Sequence, residues 1–383
     1  MDSLNSQKKV LIAFLGRANY QETAYCINDM IYKERLAFLA IHKHFSPIEK
    51  TYVIGTQESA WDLLKDFSYT PIHIPYGRSE GEFWEIFDIL RNSIHIKDSQ
   101  VIFDFTHGFR VLPLFGAIFV RLLNYIEPTA LSFKIFYGSF EPGKNETPLV
   151  DMSPFIELLD WIDAVNAFIR YGELEALSSK VHEKNKKAYV QGKSQLPKRL
   201  GAFSRKLDTL SKILHLTYTP LLDEASIQIL SMLDDESLQE ECDKFVKPFS
   251  LLLDRLRDFT ATFKKPTIWE SHLSVARWYW ENNRLTQALL VLRETIITML
   301  CEMEKCDVYD IERREHLTKQ LNEKSRDSED PIHKLWNKII KLRNNVGHAF
   351  MKKKDFEADP KRVSQKVKEV IEEAENILRG NQW

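Results

Sequence analysis

The first 150 residues alternate short apolar runs with helix-like segments, and this alternation restricts the fold more than any other feature of the chain. The strand-like runs are Val10–Leu15, Thr51–Ile54, Pro71–Ile74, Val101–Phe105 and Leu131–Tyr137. The helix-like segments are Glu34–His44, Glu58–Asp66, Gly81–Ser93 and Phe109–Tyr125. Short continuous apolar runs are typical of strands that are buried on both faces. The β-α-β-α order therefore predicts an α/β, doubly wound, Rossmann-like parallel sheet, which binds ligands beyond the carboxyl ends of its strands.

After about residue 150 the strand signal fades and the pattern becomes helical. It predicts one long helix over Pro154–Val181, a basic inter-helix loop over Lys184–Lys206, and further helices over Lys206–Phe263. A break at Lys264-Lys265-Pro266 precedes a last stretch, Ile268–Leu378, that is helical throughout.

These patterns divide the chain into three predicted parts. An α/β domain covers residues 1–150, a helical linker region covers 151–266, and an all-α domain covers 267–383. In the first part the segment Phe109–Tyr125 is apolar nearly all round, which is typical of a helix that is buried on more than one side. It either packs within its domain or forms a dimer seam. We favour the seam, because it brings two ligand-binding edges together.

Composition excludes several classes of protein. The 383 residues carry a formal net charge of −2, so any nucleic-acid binding must come from local basic patches. No apolar run reaches the ~18 residues of a membrane-spanning helix, and the apolar start of the chain is predicted to be a buried strand rather than a signal peptide. The four cysteines form no CxxC pair or Cys/His cluster. We therefore expect no metal, and reduced thiols in a cytoplasmic protein.

Two loops are predicted to lie together at the ligand-binding edge of the sheet. Gly16-Arg17-Ala18-Asn19-Tyr20 follows the first strand, and Asp104-Phe105-Thr106-His107-Gly108-Phe109-Arg110 follows the fourth strand candidate. In the second loop Thr106 can cap the following helix, and Gly108 lets the backbone approach a ligand. Free amides at the helix start, together with Arg110, favour an anion. The same residue types also serve strand-to-helix turns for geometry alone, and that alternative stays open.

A second candidate site is the segment Arg343-Asn344-Asn345-Val346-Gly347-His348. No acidic residue occurs from Pro331 to Lys354, whereas lysine and arginine recur there, and such a field attracts RNA. Histidine exchanges protons near neutral pH, and arginine stabilises charge that builds on a phosphate. The pair therefore predicts metal-free transesterification of RNA, which leaves a 2′,3′-cyclic phosphate and a 5′-hydroxyl.

The spacing of this pair raises a difficulty. Positions five apart on an ideal helix differ by about 140°, so Arg343 and His348 do not share a face of a straight helix. Asn344, Asn345 and Gly347 are poor helix formers, and the segment is expected to distort or to begin a new helix. The reach of a long arginine side chain, or a two-fold interface to which each protomer contributes one pair, relaxes the geometry further.

Taken together, these segments resemble the CARF–HEPN ribonucleases of type III CRISPR systems, in the Csx/Csm accessory group. KKVLIAFLGRANYQET and DFTHGFRVLP are similar to the CARF sensor, whereas ARWYWENNRLTQALLVLRETI followed by RNNVGH is similar to the HEPN domain. The resemblance covers roughly residues 8–150 and 268–383, and the helical region between them matches only in character. The D-x-T-H-G-x-R and R-N-x-x-x-H motifs are fairly specific as a pair and weak singly.

The resemblance implies a homodimer or higher homo-oligomer that binds cyclic oligoadenylate across its CARF domains and then cuts single-stranded RNA. It implies that Arg343 and His348 are catalytic, with Asn344 placing the phosphate, and that no cofactor or metal is needed. The residues implied to contact the activator are Gly16, Arg17, Ala18, Asn19, Tyr20, Thr106, His107, Gly108 and Arg110. Some CARF domains degrade their activator, and Thr106 and His107 are the candidates for that step. Whether the activator has three, four or six adenylates stays open.

Two other functions are compatible with parts of the sequence. The chain is alternatively a non-catalytic nucleotide-sensing module whose helical domain recruits a partner. A third hypothesis is a small-molecule enzyme in the N-terminal domain, for which Asp104 and His107 are the candidate acid and base. We rank it last, because Asp104 lies near the end of a buried strand, where a structural hydrogen bond is the expected role.

Overall fold

The computed structural model describes residues 8–108, 112–126, 132–190, 197–325, 328–351 and 359–380. It divides into two compact units, with the boundary between Leu159 and Asp160. Unit 1 contains a sheet with helices, and unit 2 is helical. The predicted fold class, an α/β N-terminal part followed by an all-α part, is confirmed.

Unit 1 contains one eight-stranded sheet. Its strands are β1 (Lys8–Leu15), β2 (Thr23–Ile27), β3 (Met30–Glu34), β4 (Lys50–Gly55), β5 (Thr70–His73), β6 (Ser99–Asp104), β7 (Ser132–Gly138) and β8 (Glu146–Asp151). The order across the sheet is β3-β2-β8-β7-β6-β1-β4-β5. From β7 to β5 every pair is parallel, and these five strands are the five that the sequence predicts.

Three strands at one side of the sheet were not predicted. β2 and β3 form an antiparallel hairpin, and β8 is antiparallel to β7 and parallel to β2. The hairpin turns at Asn28 and Asp29, which both have positive φ, as a two-residue turn of type I′ requires. The β3 side chains Met30 and Ile31 are more than half exposed, so this strand lacks the buried apolar run that marks the others.

Helices cover both faces of the sheet in unit 1. They are α1 (Ala37–Phe45), α2 (Glu80–Ser93) and α3 (Leu112–Ile126). Two separate apolar cores result, one containing Phe14, Phe103 and Phe119, the other containing Phe38 and Phe136. The predicted helix over Glu58–Asp66 is wrong, since only a short 3-10 helix at Trp61–Leu64 forms there.

The helix α3 has both a buried and an exposed apolar side. Phe119, Val120 and Leu123 are buried in the core of unit 1, whereas Ile118 and Tyr125 are 53% and 86% exposed. One side of this helix, which the sequence shows to be apolar nearly all round, is therefore packed within its own domain. The dimer seam that the sequence favours stays a prediction for the other side.

Unit 2 contains helices without any strand among its described residues. The first is α4 (Ser153–Tyr171), which begins in unit 1 and continues past the boundary. The others are α5 (Glu175–Val190), α6 (Lys198–Leu216), α7 (Leu222–Leu233), α8 (Glu236–Phe245), α9 (Lys247–Ser250), α10 (Leu253–Phe263), α11 (Ile268–Glu281), α12 (Leu285–Met303), α13 (Ile311–Lys324), α14 (Pro331–Gly347) and α15 (Pro360–Gly380). One apolar core extends from Trp161 to Leu378. The division of this half into parts 151–266 and 267–383 stays a prediction, and side chains of both parts belong to this one core.

None of the helices in the described part of the chain is both long and apolar enough to cross a membrane.

Two predictions about the start of the helical half are wrong. The single helix over Pro154–Val181 is two helices, because Gly172 lies between α4 and α5 with φ +67, a left-handed conformation that ends a helix. The loop over Lys184–Lys206 is largely helical, since α5 continues to Val190 and α6 begins at Lys198. Residues 191–196 lie outside the described residues.

The predicted break at Lys264-Lys265-Pro266 is confirmed, and its cause is a helix start. Thr267 accepts a hydrogen bond from the backbone N–H of Glu270, and the Glu270 carboxylate accepts one from the backbone N–H of Thr267. This capping box begins α11 immediately after the break.

We expect Gly172→Ala to lower the free energy of unfolding by about 1–2 kcal/mol, because an L-residue at positive φ is strained. The added Cβ would also lie 3.1 Å from the Trp278 ring and 3.3 Å from Leu214 Cβ. Urea denaturation measures the change. Gly347→Ala is the matched control, since Gly347 lacks a positive φ and its Cβ would meet no atom within 4 Å. An equal loss in both variants would contradict this account.

Candidate functional site

The two N-terminal loops lie side by side because β1 and β6 are neighbouring parallel strands. Ala13 is paired with Asp104 across these strands, and Phe14 is paired with Ile54 on the other side of β1. β4 lies on one side of β1 and β6 lies on the other. The loops after β1 and β6 therefore meet at the topological switch point, where doubly wound sheets bind ligands.

Direct contacts join these loops at Gly16, Tyr20 and His107. The Gly16 backbone N–H donates to the Tyr20 hydroxyl over 3.1 Å, and the Tyr20 and His107 ring centroids are 4.6 Å apart. A Cβ at Gly16 would lie 2.6 Å from the Tyr20 hydroxyl oxygen and 2.8 Å from the His107 carbonyl oxygen. Only glycine therefore permits this approach of the two loops.

The His107 ring, in the loop after β6, caps the N-terminus of α1. Its Nε2 accepts a hydrogen bond from the Ala37 backbone N–H at 2.9 Å and lies 3.3 Å from the Tyr25 hydroxyl. The residue before α1, Leu36, supplies no side-chain cap of its own. Burial lowers the His107 pKa to about 4, so the ring is neutral, and an accepting Nε2 assigns its proton to Nδ1.

Asp104 and Thr106 tie the ends of β6 and β7 together. The Asp104 carboxylate accepts hydrogen bonds from the Thr106 backbone N–H, at 2.9 Å, and from the Thr106 hydroxyl. The same hydroxyl accepts a hydrogen bond from the Gly138 backbone N–H at 2.8 Å. Burial raises the Asp104 pKa to about 6, and the bonds from Thr106 oppose that rise. This geometry gives Asp104 the structural role that the sequence favoured.

The side chains proposed to degrade the activator are engaged within unit 1. Nε2 of His107 already accepts a backbone hydrogen bond, and the Thr106 hydroxyl bridges Asp104 and Gly138. Neither group is available as a general base at the atoms described. These contacts do not favour degradation of the activator by Thr106 or His107.

The remaining residues of the loops lie at the surface. Arg17, Ala18 and Asn19 are exposed, and Gly108 is partly exposed. Arg110 lies outside the described residues, so its predicted contact with an anion is not placed. The described part of α3 begins at Leu112, and the residues just before it lie outside the described residues. The predicted capping of this helix by Thr106 therefore stays a prediction.

A cationic group that the sequence did not single out lies beside Arg17. Two guanidinium groups lie near the Tyr76 ring, whose centroid is 5.6 Å from Arg17 Cζ and 4.5 Å from Arg78 Cζ. Arg17 also forms an ion pair with Glu58. Tyr76 and Arg78 follow β5, whose carboxyl end is at the same edge of the sheet. A search of every loop after a parallel strand for cations and aromatic rings would have found them.

Arg343 and His348 line one cavity in unit 2. The cavity has a volume of about 200 Å³ and lies where the end of α14 packs against α12. Its lining residues are Thr286, Leu289, Leu290, Arg343, Asn344, Val346, Gly347 and His348. The three predicted catalytic residues, Arg343, Asn344 and His348, are thus brought to the same place, and Arg343 Nη1 donates to Asn344 Oδ1 over 3.2 Å.

The predicted distortion of the helix within the motif is wrong. The helix α14 continues through Asn344 and Asn345 to Gly347, and His348 is its C-cap, with its backbone N–H bonded to the Asn344 carbonyl at 3.0 Å. His348 keeps the i→i−4 hydrogen bond of the helix, so its angular offset from Arg343 stays close to that of a helix, and both residues nevertheless line the same cavity. Its imidazole is exposed and has no hydrogen-bond partner among the described residues.

The basic flank of the motif is partly neutralised by neighbouring acids. Lys338 forms an ion pair with Glu373 of α15 at 2.7 Å, and Lys334 forms one with Glu329. Lys341 and Arg343, nearer the cavity, form no ion pair within the described part of the chain. Positive charge is therefore concentrated at the end of α14 that carries the motif. Residues 352–354, the last lysines of the flank, lie outside the described residues.

No group of three or more His, Cys, Asp or Glu side chains within the described segments is placed to hold a metal ion. The metal-free mechanism expected from the sequence stays a prediction.

Comparison with known proteins identifies relatives among CRISPR-associated proteins. Residues 157–270 match the model of a family described as "CRISPR-associated protein MJ1674, second domain". CRISPR-associated protein MJ1674 of Methanocaldococcus jannaschii is 24% identical over 318 residues, which cover 80% of this chain and 45% of that protein. The chain thus spans less than half the length of this relative. The predicted similarity to CRISPR-associated proteins is confirmed.

A solved structure is also similar over nearly the whole chain. It is "Enterococcus italicus Csm6 bound to cyclic hexa-2'-fluoro-hexa-dAMP", with 13% sequence identity, a TM-score of 0.30, and coverage of 98% of this chain and 95% of the other. At this TM-score the likeness carries no argument about the site or its ligand.

We expect Gly16→Ala to separate the two loops of unit 1, because the added Cβ would overlap the Tyr20 hydroxyl and the His107 carbonyl. Overpacking of this kind costs about 1–3 kcal/mol of unfolding free energy. Chemical denaturation tests this, with Gly81→Ala as the control, since a Cβ there would be 3.8 Å from its nearest neighbour, Ser79. Unchanged stability in Gly16→Ala would show that the loops do not need this contact.

We expect His107 to make stability depend on pH. Its pKa in the folded protein, about 4, is below the ordinary value of 6.5. Between these values the unfolded chain binds more protons, so the stabilisation is complete above pH 6.5 and is lost as pH falls towards 4. The difference in unfolding free energy between the wild type and His107→Gln should shrink by roughly 2–3 kcal/mol over that range. The raised pKa of Asp104 changes stability with pH in the opposite direction. Because Asp104 is present in both proteins, its contribution cancels in the difference between them. A difference that stays constant from pH 7 to 4 would contradict the buried neutral ring.

Proposed function

We propose that this protein is an endoribonuclease of CRISPR defence that cuts single-stranded RNA without a metal ion after binding cyclic oligoadenylate. The observation that carries the proposal is the shared cavity of Arg343 and His348 at the end of α14. The similarity to CRISPR-associated proteins gives the biological setting. The free cysteines are consistent with a reducing cytoplasm, where we expect the protein to act.

In this proposal His348 and Arg343 divide the chemistry of cleavage between them. His348 takes the proton of the ribose 2′-hydroxyl, and the oxygen then attacks the neighbouring phosphorus. Arg343 stabilises the charge on the phosphate, and Asn344, within hydrogen-bond distance of Arg343, helps to place it. The 5′-oxygen leaves with a proton, so the products are a 2′,3′-cyclic phosphate and a 5′-hydroxyl. In a homodimer a second pair is available for the second proton transfer.

The proposed activator site is the edge of the sheet where the loops after β1, β5 and β6 end. Arg78 and Arg17, which is paired with Glu58, supply positive charge there, and the Tyr76 ring lies close to both guanidinium groups. Such a combination suits the phosphates and bases of a cyclic oligonucleotide. The Gly16–Tyr20–His107 contact fixes the loops that would surround the ligand.

We expect Arg343→Ala and His348→Ala each to lower the RNA cleavage rate by about 10²–10⁴-fold, because each removes one part of the acid–base and charge-stabilising pair. The measurement is cleavage of a fluorescent single-stranded RNA with cyclic tri-, tetra- or hexa-adenylate, with and without EDTA. Lys366→Ala is the control, since Lys366 is an exposed cation on α15 that lines neither this cavity nor its neighbour.

The same assay separates this proposal from its alternatives. Activity that EDTA abolishes would exclude the metal-free mechanism. Binding of cyclic oligoadenylate with no cleavage under any condition would instead support a sensing module whose helical part recruits a partner. If Gly16→Ala folds, it should need more activator than the wild type for the same rate.

A further inference from the structure

A larger cavity adjoins the cavity of Arg343 and His348. Its volume is about 640 Å³, and it lies between the start of α12, the end of α14 and the start of α15. The residues that line it are Asn283, Arg284, Leu285, Thr286, Gln287, Val346, Ala349, Phe350, Met351, Pro360 and Val363. Thr286 and Val346 line both cavities, so the two cavities are adjacent.

The lining of this cavity combines an apolar wall with a polar side. Leu285, Phe350 and Val363 are partly buried and supply apolar surface, including one aromatic ring. Asn283 and Gln287 contribute side-chain amides, which both donate and accept hydrogen bonds. Flat aromatic bases bind to such sites by stacking on a ring and by hydrogen bonding along their edges.

The charge of the cavity also suits a nucleic acid. No acidic residue occurs among the described residues that line either cavity, and Arg284 and Arg343 each line one of them. A polyanion that enters the smaller cavity is therefore not repelled at the larger one.

The backbone holds Phe350 in this cavity at a cost in conformational strain. Ala349 and Phe350 have φ values of 50° and 55°, in the left-handed region that is unfavourable for residues other than glycine. The turn is fixed by hydrogen bonds from the backbone N–H of Ala349 to the Val346 carbonyl and from that of Phe350 to the Asn345 carbonyl, both 2.9 Å. Strain of this kind persists where the surrounding structure imposes it, and it is concentrated at binding and catalytic sites.

We propose that the larger cavity is a nucleobase subsite that holds the base of an RNA nucleotide next to the phosphate that is cut. Phe350 is its stacking surface, and Asn283 and Gln287 recognise the edge of the base. The subsite gives the cleavage reaction a preference for one base at one position beside the cut. This inference rests on the proposed function, because it assigns the neighbouring cavity to RNA cleavage.

RNA binding in a His348→Ala background tests the subsite without cleavage. Fluorescence anisotropy compares this parent protein with the double variants that add Phe350→Ala, Phe350→Leu or Gln287→Ala. We expect Phe350→Ala to weaken binding of single-stranded RNA about tenfold or more, as the loss of one stacked base does. Phe350→Leu keeps the apolar contact and loses the ring, so it separates stacking from a general effect on folding. Gln365→Ala, on α15 and outside the cavity lining, is the control.

RNAs that carry one abasic nucleotide at successive positions give the decisive comparison. In the parent protein one abasic position should weaken binding, and that same position should have no effect once Phe350 is alanine. The inference is overturned if the parent binds no RNA, if Phe350→Ala, Phe350→Leu and Gln287→Ala all bind as tightly as the parent, or if every abasic position affects parent and variants equally.

These outcomes are distinct from failure of the proposed function. If the wild type cuts no RNA with any activator, the ribonuclease proposal fails, whereas the abasic-position result still decides whether the cavity holds a base. If the wild type cuts RNA and Phe350 variants keep the same base preference and KM, the subsite alone is wrong.

Discussion

The parallel pairing of β1 with both β6 and β4 is the constraint on which the organisation of unit 1 depends. It brings the carboxyl ends of these strands to one edge, so that segments far apart in the sequence meet there. The contact is close enough to exclude any side chain at Gly16. It also places His107 at the start of α1, which has no side-chain cap in its own sequence. One strand arrangement thus fixes the loops, a helix start and the protonation of a histidine.

The candidate catalytic residues of unit 2 lie at the C-terminal end of α14. α14 is begun by Asp330, which accepts a hydrogen bond from the Ile332 backbone N–H, and it ends after Gly347. Arg343 lies in the last turn of α14, and His348 is its C-cap. Both residues line one cavity together with residues of α12. The turn that ends α14 at the same time places Phe350 in the neighbouring cavity.

The sequence predicted the parts of the fold that a buried apolar run or a helix-breaking residue marks clearly. All five parallel strands of the central sheet were found, because each is a short apolar run. β1, β4 and β6 are buried along nearly their whole length, whereas β5 and β7 are partly exposed. β2 and β3 were missed because they are short and partly exposed, although the Asn28-Asp29 pair is the residue type that a tight hairpin turn needs. Gly172 was overlooked as a helix end, since a periodic apolar pattern continues on both sides of it.

The candidate sites were predicted to different depths. Neighbouring loops at a switch point follow from strand order alone, so Gly16, Tyr20 and His107 were placed together correctly. The partners of His107 were not predictable, because the Ala37 amide comes from an element whose position depends on tertiary packing. Tyr76 and Arg78 were missed although they follow a predicted parallel strand, where cations and aromatic rings indicate a ligand site. For Arg343 and His348 the residue types were informative, whereas the cavity that both line depends on the packing of α14 against α12.

The wall formed by Thr286 and Val346 separates two spaces and belongs to both. Under the proposed function, a change of volume or polarity at either residue would alter both the surroundings of the phosphate that is cut and the room for the neighbouring base. The turnover rate and the base selectivity would then change together. A homologue that adopts a different base at this position is thus expected to carry compensating changes around its histidine.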